Sequence, residues 1–230
     1  MKIHGFMKMT LLDFPGKVAC TVFTGGCNLR CPFCHNASLV TDIDGETEIK
    51  ADDIIDFLSK RKGLLDGVAI TGGEPLLQAD IKQFISKIKS LGFSVKLDTN
   101  GSYPDKLKDL VNSGLIDYVA MDVKNSPSKY SETVDINDFD YQKVKESIDF
   151  LKSGIVDYEF RTTVVAEFHD VSDIEEIAKE ISGAKRYYLQ NFVDSGNLIG
   201  ENLHPHSKDV LEEMKARCLK FIENVEIRGM

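Results

Sequence analysis

Residues 67–101 read GVAITGGEPLLQADIKQFISKIKSLGFSVKLDTNG, and this stretch decides the fold. Its two ends, 67–70 and 93–97, are short strand-like runs of β-branched and aromatic residues closed by turn formers. Between them Ile81, Phe84, Ile85, Ile88 and Leu91 recur at the three-and-four spacing of one helix face. A strand, an amphipathic helix and a second strand make a crossover unit, and such a unit joins parallel strands with a right-handed turn.

The same alternation continues in both directions. Strand-like runs lie at 18–23, 116–121, 158–165 and 186–189, and helical periodicity fills 52–58, 104–111, 141–151, 171–181 and 210–221. The expected fold is α/β: a partial (β/α)6 barrel of parallel strands with outer helices, its core at about 13–190 and a C-terminal loop and helix at 191–230 within one domain spanning 1–230. A doubly wound open sheet carries the same local signature. In either case functional groups belong in the loops that follow the strands.

Composition narrows the function. The 230 residues are 42% hydrophobic and 28% charged with six prolines, an ordinary globular balance that excludes a disordered or fibrous chain. The net charge is −9 and no basic block is present, which excludes nucleic acid as a partner. No stretch approaches a membrane span and the first residues do not read as a secretory signal, so a cytoplasmic location is expected. Three of the five cysteines crowd into 27–34, and this clustering favours a metal site over a disulfide framework.

That cluster reads TGGCNLRCPFCHN at 24–36, directly after a strand. Thiolates at Cys27, Cys31 and Cys34 suit an iron–sulfur cluster, and three ligands to a four-iron cubane leave one iron open for a substrate. The competing reading is a structural zinc site completed by His35, which would make the protein a binding module without catalysis. Two further loops follow strands: TGGEP at 71–75, where paired glycines allow a close backbone approach and Glu74 offers a carboxylate, and DTNG at 98–101. Read plainly, the first is a turn and the second an Asx-type turn or helix cap.

The cysteine spacing, with Phe33 just before the third cysteine, resembles the radical S-adenosylmethionine (radical SAM) superfamily. DFPG at 13–16 followed by CNLRCPFCHN is similar, more narrowly, to the activases of glycyl-radical enzymes, and within them to the activating proteins of anaerobic ribonucleoside-triphosphate reductase, with pyruvate formate-lyase activase as a near relative. The resemblance covers residues 13–161. It implies one [4Fe–4S] cluster held by Cys27, Cys31 and Cys34, with S-adenosylmethionine (SAM) chelated at the unique iron and cleaved by one electron. The resulting 5′-deoxyadenosyl radical would take a hydrogen atom from a glycine of the partner. An electron donor of the flavodoxin or ferredoxin type is expected.

By the same resemblance, Gly72, Gly73 and Glu74 bind the amino group of SAM, and Asp98, Thr99 and Asp122 build a monovalent-cation site beside its carboxylate. Lys124 reaches the cofactor, Arg161 lies near it, and Phe33, His35 and Asn36 lie beside the cluster. Some activases carry extra cysteines after the triad; residues 37–49 here contain none, so one cluster is expected. Cys20 and Cys218 read as buried small hydrophobes, and the His204-Pro-His206 stretch receives no role. Gln190-Asn-Phe192 follows the last barrel strand where related activases place another cofactor contact, and the 191–207 loop is expected to border the active-site mouth. The rival within radical chemistry is a small-molecule enzyme such as 7-carboxy-7-deazaguanine synthase.

Overall fold

The computed structural model describes residues 1–42 and 48–229; residues 43–47, part of the cysteine-free 37–49 stretch, lie outside the described residues. The chain runs β1 (Ile3–Thr10), β2 (Ala19–Thr24), α1 (Ser38–Thr41), α2 (Ala51–Ser59), β3 (Gly67–Gly72), α3 (Ile81–Ser90), β4 (Ser94–Thr99), α4 (Pro104–Asn112), β5 (Tyr118–Asp122), α5 (Tyr130–Val134), α6 (Tyr141–Lys152), β6 (Asp157–Val164), α7 (Val171–Glu180), β7 (Tyr187–Asn191), α8 (Lys208–Cys218) and β8 (Val225–Arg228). The six strands expected from the sequence are β2 to β7, and their connecting helices fall where the periodicity puts them.

Among the described residues eight strands form one sheet, in the order β1 to β8. Only β1 is antiparallel; β2 through β8 pair in parallel. This order distinguishes the two architectures left open by periodicity. A doubly wound sheet must reverse its strand order, whereas an order that rises without reversal, with right-handed crossovers, puts every helix on one face and curls the sheet toward a barrel. β1 and β8 are the two edges and do not pair with each other, so the barrel is open. The sheet also exceeds the expected six strands. β1 reads IHGFMKMT, whose exposed Met7, Lys8 and Met9 break the apolar pattern, and β8 is only four residues long.

Alternation along each strand separates two environments. Val68 and Ile70, Val95 and Leu97, and Val119 and Met121 are fully buried under the helices, where Ile81, Phe84, Ile85 and Ile88 of α3 join the same core. The opposite, concave face carries Ala19, Lys96, Asp98, Tyr118, Ala120, Asp122 and Arg161. At its floor Phe14 packs with Ala19, Tyr118 and Ala120 as a separate small cluster, and a Cβ on Gly67 would stand 2.9 Å from the Phe14 ring. The floor is therefore plugged by an aromatic ring, and the open end lies at the carboxyl edge of the strands.

Candidate active site

The cysteine loop leaves β2 at Thr24 and is locked at once to the loop after β3. Gly73 N–H donates to Thr24 O at 2.8 Å, Glu74 N–H to Gly26 O at 2.8 Å, and the Asn36 side-chain amide to Gly72 O at 3.0 Å. Only glycine fits at 73: a Cβ there would lie 2.1 Å from Gly26 O. On the far side of the loop, Arg30 N–H donates to Val134 O at the end of α5, and the Arg30 guanidinium caps the carbonyls of Cys27 and Leu29 at 2.8 Å each. The cysteines are thus carried on backbone pinned from two sides.

Cys27, Cys31 and Cys34 line one cleft of about 210 Å³ together with Phe33, Gly72, Gly73, Asp98, Asp122, Lys124 and Arg161. Burial pushes the Cys27 thiol up to about 11 and the Cys31 thiol up to about 12. Thiols so placed lose their protons when a metal replaces them. His35 and Asn36 line the same cleft, with His35 Nε2 3.0 Å from Val193 O and its ring stacked on Phe192 at 5.8 Å. Among the described residues, no three His, Cys, Asp or Glu side chains are arranged around a single ion. Three soft donors spread along a cleft wall, beside glycine backbone that admits a ligand, fit a multi-iron cluster better than a zinc ion.

Across the cleft an alternating row of charges runs over the concave face. Lys96 contacts Asp98 Oδ1, Asp98 Oδ2 accepts from Arg161 Nη1 at 3.2 Å, Arg161 Nε donates to Asp122 Oδ1 at 2.8 Å, and Lys124 Nζ donates to Asp122 Oδ2 at 2.9 Å. The register that sets Asp122 opposite Arg161 on β5 and β6 makes the central pair. Burial alone would raise the Asp122 carboxyl, but the Arg161 guanidinium and the Lys124 ammonium outweigh it and hold it well below the usual carboxylate range. Asp98 is lowered in the same way, with Arg161 and Lys96 outweighing burial. Of this row Asp98, Asp122, Lys124 and Arg161 line the cleft, so the guanidinium and the ammonium stand where they can meet a carboxylate-bearing ligand.

One sequence expectation needs correction in detail. Glu74 does not face the cleft. Its carboxylate is fully buried and accepts from Leu76 N at 2.9 Å, Thr99 Oγ1 at 2.9 Å and Asn100 N at 2.7 Å, so it ties the loop after β3 to the loop after β4. The oxygens of Asp98 and Asp122, expected at a monovalent cation, accept from Lys96, Arg161 and Lys124, and Thr99 Oγ1 is turned to Glu74.

Other residues were not singled out by their sequence. Asn100 and Thr163 join the cleft wall because they fall at strand ends, and Gln190, near the end of β7, lines the cleft as well. Phe33 is buried against Phe168, with ring centroids 5.7 Å apart. Cys20 and Cys218 are fully buried away from the site, each thiol pushed up to about 12 by burial. His204 pairs with Glu167 at 2.7 Å and His206 Nε2 donates to His169 O at 2.7 Å, so neither is set up as a metal ligand. The 191–207 loop crosses the cysteine loop, where Gly200 N–H donates to Pro32 O at 2.8 Å.

A family model of the radical SAM superfamily matches residues 21–181, which span the cysteine loop and the strands that carry the row of charges. The chain belongs to the radical SAM superfamily. As a radical SAM protein it is an enzyme that uses a [4Fe–4S] cluster and SAM. It is 36% identical over 98% of its length, and 95% of the relative's, to a Methanocaldococcus jannaschii protein provisionally named a glycyl-radical enzyme activating enzyme. It is 34% identical over 56% of its length to the pyruvate formate-lyase-activating enzyme of Listeria monocytogenes, again covering 56% of that protein. Among solved structures it is similar to Streptococcus suis SuiB bound to SAM, with a TM-score of 0.68 at 16% identity over 89% of the chain. That likeness shows the radical SAM fold, and the chain spans about half of SuiB's length. Among the described residues, no helix is long and apolar enough to cross a membrane.

Proposed function

We propose that the protein is a radical SAM activase that installs a glycyl radical on a partner enzyme, and that this partner is an anaerobic ribonucleoside-triphosphate reductase. The observation that carries the activase reading is the correspondence over nearly the whole chain with the M. jannaschii relative. The CNLRCPFCHN string together with DFPG at 13–16 supports the choice of partner. An open barrel favours a protein substrate, because a glycine-bearing loop has to enter the cleft.

In this reading Cys27, Cys31 and Cys34 hold the cluster, and Gly72 and Gly73 present backbone to the amino group of SAM. The Lys124 ammonium and the Arg161 guanidinium, which line the cleft, receive the SAM carboxylate. When bound, the cluster and SAM supply one-electron cleavage of the sulfonium and hydrogen-atom abstraction from the partner's glycine. The chain's own contribution is placement and exclusion of water: Phe33 and Phe168 close the apolar side of the cysteine loop, and the 191–207 loop covers its rim. No side chain acts as an acid or base. A low-potential flavodoxin or ferredoxin supplies the electron.

The test is anaerobic electron paramagnetic resonance of the reduced, reconstituted protein with SAM and either anaerobic ribonucleotide reductase or pyruvate formate-lyase of the same organism. A glycyl-radical doublet with the reductase is expected. A doublet only with the lyase would change the partner. Release of 5′-deoxyadenosine with no doublet on any glycyl-radical enzyme would overturn the activase reading and point to a small-molecule substrate.

A further inference from the structure

Lys124 lies two residues beyond the end of β5, past the reach of the sheet's hydrogen bonds, yet both polar groups of its backbone have partners. Its carbonyl accepts from His169 Nε2 at 2.7 Å, and its N–H donates to the Tyr130 hydroxyl at 3.4 Å. Both partner rings are 1% exposed. They come from separate parts of the chain: Tyr130 opens α5, and His169 lies in the turn between β6 and α7.

Each ring is fixed in turn. His169 Nδ1 accepts from Val165 N–H at 3.2 Å, and since a carbonyl can only accept, Nε2 carries the proton given to Lys124 O. The imidazole edge packs against Phe33 in the cysteine loop, with centroids 6.1 Å apart. Tyr130 is held between Phe139 at 5.2 Å and Tyr141 at 5.1 Å. The ammonium of the same lysine ends in the cleft, 2.9 Å from Asp122. A buried carbonyl needs a partner wherever it lies. Two rigid rings hold the two peptide groups on either side of the Lys124 Cα, and with one ring also seated on the cysteine loop they do more than satisfy the carbonyl: they fix the distance between the lysine and the cysteines.

We infer that His169 and Tyr130 are positioning residues for Lys124, setting where its ammonium meets the bound SAM. The inference rests on the reading that Lys124 faces that cofactor. Without the His169 N–H, the Lys124 carbonyl is buried with nothing to accept from, the peptide rotates to find a donor, and the lysine stem leaves its line into the cleft.

The experiment compares His169→Leu, His169→Gln, Tyr130→Phe and Lys124→Met as full-length, anaerobically reconstituted proteins, reading iron content, the SAM dissociation constant and the SAM-induced change in the reduced-cluster resonance. His169→Leu is expected to keep its iron, bind SAM about tenfold more weakly and blunt the resonance change. His169→Gln, whose amide N–H can reach the same carbonyl, recovers most of the affinity, and Tyr130→Phe loses less than His169→Leu because its bond is longer. In the Lys124→Met background, His169→Leu causes no further loss. Unchanged SAM binding in His169→Leu, or an equal loss with and without Lys124, overturns the inference. Should His169→Leu fail to take up iron, Tyr130→Phe is judged alone by the same two criteria. If Lys124→Met itself binds SAM normally, the reading of Lys124 fails and the inference falls with it.

Discussion

Asn100 N–H donates to the fully buried carboxylate of Glu74 at 2.7 Å, joining two loops that are far apart in the chain. The same carboxylate accepts from Thr99 Oγ1 and Leu76 N. Glu74→Ala strands three donors in the interior and should destabilise the protein by about 3 kcal/mol, read as a lower urea midpoint with an unchanged slope.

The same group should make stability depend on pH. Burial raises the Glu74 carboxyl from 4.5 to about 7, against the opposing hydrogen bonds from Asn100, Leu76 and Thr99. Between these values the unfolded chain has released its proton while the folded one retains it. The contribution is therefore complete below about 4.5 and is lost as pH rises toward 7. In the cluster-free protein, stability should fall by about 3 kcal/mol over that interval relative to Glu74→Gln, which has nothing to titrate at this position. Denaturation curves at both ends of the interval check this, and parallel behaviour of the two proteins would contradict it.

Arg161 holds two carboxylates apart on the concave face, 3.2 Å from Asp98 and 2.8 Å from Asp122. Arg161→Met leaves both charges partly buried with one cation fewer each, and a loss of about 3–5 kcal/mol is expected. Arg161→Lys keeps the charge but lacks the fork that reaches both partners, so it should fall between the two in thermal denaturation.

Gly73→Ala is expected to cut iron uptake severalfold while circular dichroism stays native, because the new Cβ would meet Gly26 O at 2.1 Å and push apart the loops that seat the cysteines. Gly183→Ala is the control. A Cβ there meets nothing within 4 Å, so its positive φ costs only about 1 kcal/mol and iron uptake is retained.

Reconstitution should release protons. With the Cys27 and Cys31 thiols pushed up to about 11 and about 12, iron competes with hydrogen ions for the sulfurs, and cluster occupancy at limiting iron should drop as the pH is lowered from about 8.5 to about 6.5. Absorbance of the loaded cluster measures it.

Much of this was legible before any coordinates. Val68 and Ile70 sit in an unbroken apolar run, and Val95 and Leu97 alternate with polar residues; both are strand patterns that can be read without the fold. The cysteines are equally plain, since three ligands on one short loop leave their spacing in the sequence. β1 was not, because an edge strand with Met7, Lys8 and Met9 exposed shows no run. Glu74 was misjudged for a different reason: a carboxylate next to paired glycines looks like a ligand contact, and only the tertiary fold reveals the three donors that surround it. His169 and Tyr130 act through contacts with residues distant in sequence, which no local spacing records.

The 191–207 loop bears on how the enzyme matures. Gly200 of that loop grips the backbone of Pro32, and His35 reaches Val193. Residues far apart in the chain therefore complete one cradle, and the cysteine loop has these ties only once residues 191–207 are docked against it, so metal retention depends on a segment that carries none of the cysteines. A chain stopped at residue 190 should accordingly emerge with its three thiols present but unable to retain iron through desalting.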